Sequence, residues 1–94
     1  MSAGLSRRGD LEPGDWGIAM ETLPPAERGR IDPRDWFGSP ERPFELEIGS
    51  GKGTFLVQQS REQPATNFLG AEWAAGYADH AADRARRHGL DNVR

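Results

Sequence analysis

The chain of 94 residues contains no cysteine. Disulfides and thiolate metal sites are therefore excluded, and a reducing, cytoplasmic setting is the expectation. Long apolar runs are also missing. Nothing approaches the roughly 20 residues that a membrane-spanning helix needs, so no membrane partner is expected. The opening stretch "MSAGLSRRGDLEPGD" lacks the apolar centre of a secretory signal. Positive charge is not in excess: 12 Lys and Arg face 15 Asp and Glu, giving a formal net charge of −3. No global signature of nucleic-acid binding follows, so any RNA contact must come from a local patch or from further chain. Neither His80 nor His88 has metal-ligating neighbours in the sequence, and no metal is expected.

Proline is nearly absent from one half. Residues 1–43 hold six prolines and six glycines, whereas residues 44–94 hold six glycines and Pro64 alone. The sequence thus divides into an irregular N-terminal arm, 1–43, and a patterned part, 44–94. The arm's large apolar side chains (Trp16, Ile18, Met20, Leu23, Ile31, Trp36, Phe37) suffice to dock on a core but not to build one. Only about 50 residues carry regular patterning, below the ~70–80 at which a single core usually becomes adequate.

Phe44, Leu46 and Ile48 alternate with Glu45 and Glu47, which predicts a strand over 44–48. Residues 53, 56, 57 and 60 fall on one helical face, and Pro64 disfavours helix at the residue before it, so a helix is predicted from Gly53 to about Glu62. A second strand is predicted over Asn67–Ala71 and a second helix over Ala74–His88. In that helix Ala74, Ala78, Ala81 and Ala85 form a small-residue face, and Asp83 and Arg87 are spaced to pair on an exposed surface. Gly89 followed by Leu90 suits a left-handed cap, and Asn92–Arg94 reads as the start of a third strand. Alternating strands and helices imply an α/β fold with a parallel sheet, whose ligand lies at the carboxyl ends of the strands. The glycine turn and Glu72 both fall there.

Three glycine loops compete for "ELEIGSGKGTF", residues 45–55. A nucleoside triphosphate loop needs Gly at position 46, which is Leu46, and Ser or Thr after Lys52, which is Gly53. Glu47 beside such a loop would repel a polyphosphate. The dinucleotide fingerprint needs its third glycine one residue later than Gly53. The pattern acidic-x-Gly-x-Gly-x-Gly fits at every position through Glu47, Gly49, Gly51 and Gly53. An acid there attracts a cationic ligand such as S-adenosylmethionine, whose carboxylate has backbone N–H groups available at the helix start. Glu72 suits the ribose hydroxyls, a role it would equally have in a dinucleotide fold. A plain turn with solvated acids is the competing reading. Lys52 reads as a solvated loop lysine.

The segment "ELEIGSGKGTFLVQQSREQPATNFLGAEW", 45–73, resembles the tRNA guanine-N7 methyltransferase family, and "YADHAADRARRHGLDNVR", 77–94, continues the likeness. The resemblance covers about half the chain and rests chiefly on "QPATNFLGAE" beyond the shared glycine loop. It implies a Rossmann-like, S-adenosylmethionine-dependent methyltransferase fold and a variable-loop guanosine of tRNA as substrate. It also implies Glu47, Gly49, Gly51, Gly53 and Glu72 as cofactor-binding residues. Guanine N7 is already nucleophilic, so the implied catalysis is mainly alignment.

The family pattern continues past Arg94, and the guanosine site and catalytic residues are expected beyond residue 94. "DPRDW", 32–36, has the wrong place and spacing to substitute for them. The 94-residue chain alone is therefore expected to be inactive, with its first strand exposed as an edge. The alternatives are a non-catalytic remnant that keeps half a cofactor cleft, or another S-adenosylmethionine-dependent methyltransferase with the same loop. Arg84, Arg86, Arg87 and His88, with Arg7 and Arg8 on the arm, are candidate RNA contacts or merely solvated charges. Trp73 and Tyr77 read as packing residues.

Overall fold

A computed structural model describes residues 11–94. Its regular part runs β1 (Phe44–Ile48), α1 (Thr54–Glu62), β2 (Asn67–Ala71) and α2 (Ala75–Arg87). Before these lie three 3₁₀ turns, at Gly14–Trp16, Met20–Thr22 and Pro33–Trp36. β1 and β2 are parallel, with Phe44 opposite Asn67 and Ile48 opposite Ala71. Val93 bridges Phe68 in parallel on the other side of β2. Phe68 N–H donates to the Asn92 carbonyl, and Gly70 N–H to the Arg94 carbonyl. β2 is therefore paired on both sides, and β1 is an edge among the described residues. The start of a third strand is found where the sequence placed it.

The helices follow from their local sequence. α1 begins after Gly53, whose φ of 79° is left-handed, and ends before Gln63 and Pro64. α2 ends at Gly89, φ 63°; Gly89 N–H donates to the Arg86 carbonyl and Leu90 N–H to that of Ala85. Leu90 turns back onto the core, completing the apolar contact of such a cap.

Leu56 and Val57 of α1, Phe68 of β2, Ala85 of α2 and Val93 form the core, with Trp16 and Leu90 packed against it. Both helices thus cover the Phe68 face of the sheet. Strand alternation puts Leu46 and Ile48, in register with Leu69 and Ala71, on the opposite face. They remain 55% and 75% exposed. The apolar stripe of β1 is real, but the two helices lie on the side where Glu45 and Glu47 project. Phe44 alone on that stripe gains a partner, Phe37 from the arm, with ring centroids 6.1 Å apart at a steep angle.

The described part of the arm, residues 11–43, is irregular but docked. Asn67, fully buried, donates to the Ser39 carbonyl at 2.8 Å. Trp16 Nε1 donates to the Leu90 carbonyl. The Arg94 guanidinium lies 5.7 Å from the Trp16 ring and 5.3 Å from the Phe37 ring. Asp83 was expected on an exposed face and instead is only 4% exposed. The arm covers it: Glu12 N–H donates to Asp83 at 3.0 Å, while Arg86 and Arg87 close on it at 3.0 and 2.8 Å. Burial works against the Asp83 charge, but these three donors outweigh it and hold the carboxyl below its usual range.

Asn92 ties the layers together. Its side-chain amide, nearly inaccessible, donates toward the carbonyls of Ser60, Gln63 and Thr66 at 2.9, 3.1 and 2.9 Å. It thereby fixes the end of α1 to the strand that follows α2. Asn92→Ala leaves those carbonyls without their donor and is expected to destabilise the chain by about 2–3 kcal/mol, read from the shift of the urea midpoint. The 94-residue chain itself, with β1 open at one edge and on one face, is expected to unfold in a broad transition at low temperature. A sharp, cooperative thermal transition of the monomer would contradict this.

Candidate functional site

The site lies at the carboxyl ends of β1 and β2, where residues 49–53 turn from strand to helix. Gly49, Gly51 and Gly53 all have positive φ, of 76°, 60° and 79°. Gly53 has a second constraint. A β-carbon there would sit 2.5 Å from the Ala81 β-carbon of α2. The loop can reach α1 only because neither residue carries a larger side chain. Gly70, in β2, plays a similar part: its missing β-carbon would meet Leu56 at 2.6 Å and the Ser50 hydroxyl at 2.8 Å. The sequence reading passed over Gly70, although a glycine inside a strand signals such a close approach.

Glu72 follows the last residue of β2 and turns back across the loop. Its Oε1 accepts from Gly51 N–H at 2.7 Å, and its Oε2 from Ala74 N–H at 2.8 Å. These bonds, Ala74's first and then Gly51's, hold its carboxyl below the usual glutamate range against a smaller opposing effect of burial. One of the loop amides expected to face a ligand is thus taken by Glu72. An ionised carboxylate has about four lone-pair sites. Two are used here, and the remaining pair matches the two hydroxyls of a ribose.

Glu47 occupies the second-last position of β1, opposite Gly70. It is half-buried, and its Oε1 is inaccessible and without a hydrogen-bond partner among the described residues, as are Asn67 Oδ1 and His80 Nδ1. What sets Glu47 apart is its acidic charge beside three glycines. That charge favours a cationic ligand and disfavours a polyphosphate. The five residues singled out from the sequence are therefore brought to one edge, as two acids flanking a glycine turn.

Other expectations need correction. Trp73, read as a packing residue, is fully exposed, and Tyr77 is 49% exposed. Trp73 sits in the turn past Glu72, above the layer that the helices cover. Tyr77 projects from the first turns of α2 toward the loop. There the Lys52 ammonium lies 5.5 Å from the Tyr77 ring centroid. Lys52 is exposed, yet it is held over an aromatic face rather than free in solvent, an interaction worth about 0.5–1 kcal/mol at exposed sites. "DPRDW" forms the capped 3₁₀ turn Pro33–Trp36, in which Asp32 accepts from Arg34 N–H and pairs with its guanidinium at 2.7 Å. This accounts for the segment structurally, far from the glycine loop in sequence. Arg7 and Arg8 lie outside the described residues. Among those described, no group of three or more His, Asp or Glu is placed to hold a metal, and no helix is long and apolar enough to cross a membrane.

Comparison with known proteins adds an independent line. A family model described as "Putative methyltransferase" matches residues 41–94. Curated relatives named "tRNA (guanine-N(7)-)-methyltransferase" are similar to the chain. The protein from Rhodopirellula baltica is 36% identical over 89% of this chain and 29% of its own length. That from Myxococcus xanthus is 43% identical over 66% of this chain and 31% of its own length. That from Geobacillus thermodenitrificans is 38% identical over 76% and 32%. The chain thus spans about a third of the length of these relatives.

The Glu72 bridge has a pH signature. Because its pKa is lowered on folding, its contribution to loop order is fully present above the ordinary glutamate pKa and is lost as pH falls through the lowered value. The Gly51 and Ala74 amide proton resonances should therefore titrate together, with a midpoint below that of an exposed glutamate. A midpoint at or above the ordinary value would show that the bridge does not form in solution.

Proposed function

Because the chain belongs to the methyltransferase family whose model matches residues 41–94, we propose that residues 44–94 supply the methyl-donor part of a Rossmann-like tRNA (guanine-N7-)-methyltransferase. Residues 11–43 act as an arm strapped along that domain. The observation that carries the assignment of ligand is the half-buried Glu47 carboxylate placed beside a turn of three positive-φ glycines. The names of the relatives support tRNA as substrate.

In this reading S-adenosylmethionine supplies an electrophilic methyl group on a sulfonium. The chain's residues bind and orient it. The Glu47 carboxylate attracts the ligand's ammonium by charge where a polyphosphate would be repelled. Glu72 keeps its two backbone donors and takes the ribose hydroxyls on its remaining lone pairs. Gly49, Gly51 and Gly53 leave the turn without side chains, so the ligand can approach the backbone. Guanine N7 needs no general base, since its lone pair is free. The rate advantage then comes from holding two partners in line, a proximity effect.

Calorimetric titration of the 94-residue chain at 4 °C tests this. S-adenosylmethionine is expected to bind and ATP to bind weakly or not at all. Glu47→Gln removes a charged acceptor worth about 1.5–3 kcal/mol, a loss of roughly ten- to hundredfold in affinity. ATP binding tighter than S-adenosylmethionine, or an unchanged affinity in Glu47→Gln, would refute the assignment.

A further inference from the structure

Three arginines stand close together in α2, and their surroundings separate them. Arg86 and Arg87 are both committed to Asp83, at 3.0 and 2.8 Å, and Arg86 also donates to the Glu12 carbonyl. They share that one buried carboxylate, although the Arg87 side chain stays 58% exposed. Arg84 has no carboxylate partner among the described residues. It points the other way, across to α1, where its guanidinium donates to the Thr54 hydroxyl at 3.4 Å. The direction follows from packing: Ala81, one turn earlier on the same face, abuts Gly53 at the start of α1.

Arg84 thereby becomes one wall of a groove of about 550 Å³ between the two helices. The other wall is α1, with Thr54, Gln58 and Arg61, and His88 closes the far end. Arg61 likewise has no ion-pair partner among the described residues. One acid lines the groove, Glu62, and it accepts from the neutral Gln58 amide at 3.2 Å rather than from either arginine. Two guanidiniums, a hydroxyl and an amide thus share an open cleft in a chain whose net charge is −3. The groove begins at Thr54, directly behind the glycine loop.

We propose that the groove between α1 and α2 binds the phosphate backbone of the RNA substrate, through Arg61 and Arg84. It deepens the tRNA reading above and rests on it. Charge complementarity selects the occupant: forked N–H donors match phosphate oxygens. Thr54, at the groove's edge, directly follows Gly53, so the groove adjoins the glycine loop. The positions are separate from Glu47 and Glu72, so RNA affinity and cofactor affinity are distinguishable.

The test uses the full 94-residue chain at 4 °C, an unmodified tRNA transcript as probe, and fluorescence anisotropy over a series of salt concentrations. The double variant Arg61→Gln/Arg84→Gln is expected to lose about tenfold in affinity. The slope of log affinity against log salt should fall by about one for each arginine removed. Arg61→Lys/Arg84→Lys keeps the charges and should retain most of the slope. Circular dichroism and the affinity for S-adenosylmethionine should be unchanged in both variants. Equal affinity and slope in the wild type and the Gln variant would overturn the inference while leaving the cofactor reading intact. Failure of the wild-type chain to bind the transcript at low salt would overturn it too. Loss of S-adenosylmethionine binding in the wild type would instead strike the proposed function.

Discussion

A missing side chain at Gly53 is the constraint on which the arrangement rests. With Ala81 directly against it, the turn after β1 can lead straight into a helix that lies close to its neighbour. Any β-carbon would push α1 away from α2. Leu56 and Val57 would then lose their place over Phe68, and the loop would lose the geometry that brings Gly51 N–H to Glu72. Close packing transmits such a shift because interiors contain few voids to absorb it. The glycine is thus structural whatever part it plays in holding a ligand.

On that scaffold, two carboxylates at adjacent strand ends give the site its character. They are not equivalent. Glu72 is satisfied by two backbone donors and stabilises the loop. Glu47 has an oxygen that no described residue satisfies. One acid shapes the turn and the other adds negative charge beside it. In the proposed reading this charge, rather than the number of glycines, favours a cationic ligand over the phosphate ligands that use similar turns.

Much of this was legible from the sequence, and the reasons are specific. β1 and β2 were placed at their observed limits because alternation and the flanking Gly49 and Glu72 mark them sharply. Pro64 marked the end of α1. The register of Gly89 and Leu90 gave the cap of α2. What was not legible concerns partners distant along the chain. Alternation told that β1 has an apolar side but not that the helices would cover the other one. The spacing of Asp83 and Arg87 gave the pair, while its burial depends on Glu12, 71 residues away. Trp73 carries a large apolar ring, yet composition does not say whether anything lies over it. The five candidate residues were singled out from their pattern; that the fold gathers them at one edge, and that Glu72 bridges the loop, depends on contacts distant in sequence.

The sandwich of Arg94 between Trp16 and Phe37 bears on the order in which the molecule assembles. The arm is synthesised before the strands and helices, but Trp16 is anchored by the Leu90 carbonyl, 74 residues further along, and by the Arg94 guanidinium. Contacts of such high sequence separation form slowly, since a long loop must close before they reward it. On the ribosome the helices and strands can therefore condense while the arm still trails free. Trp16 stays unshielded until Leu90 and Arg94 have emerged, an interval in which the chain is open to capture by chaperones or by other nascent chains.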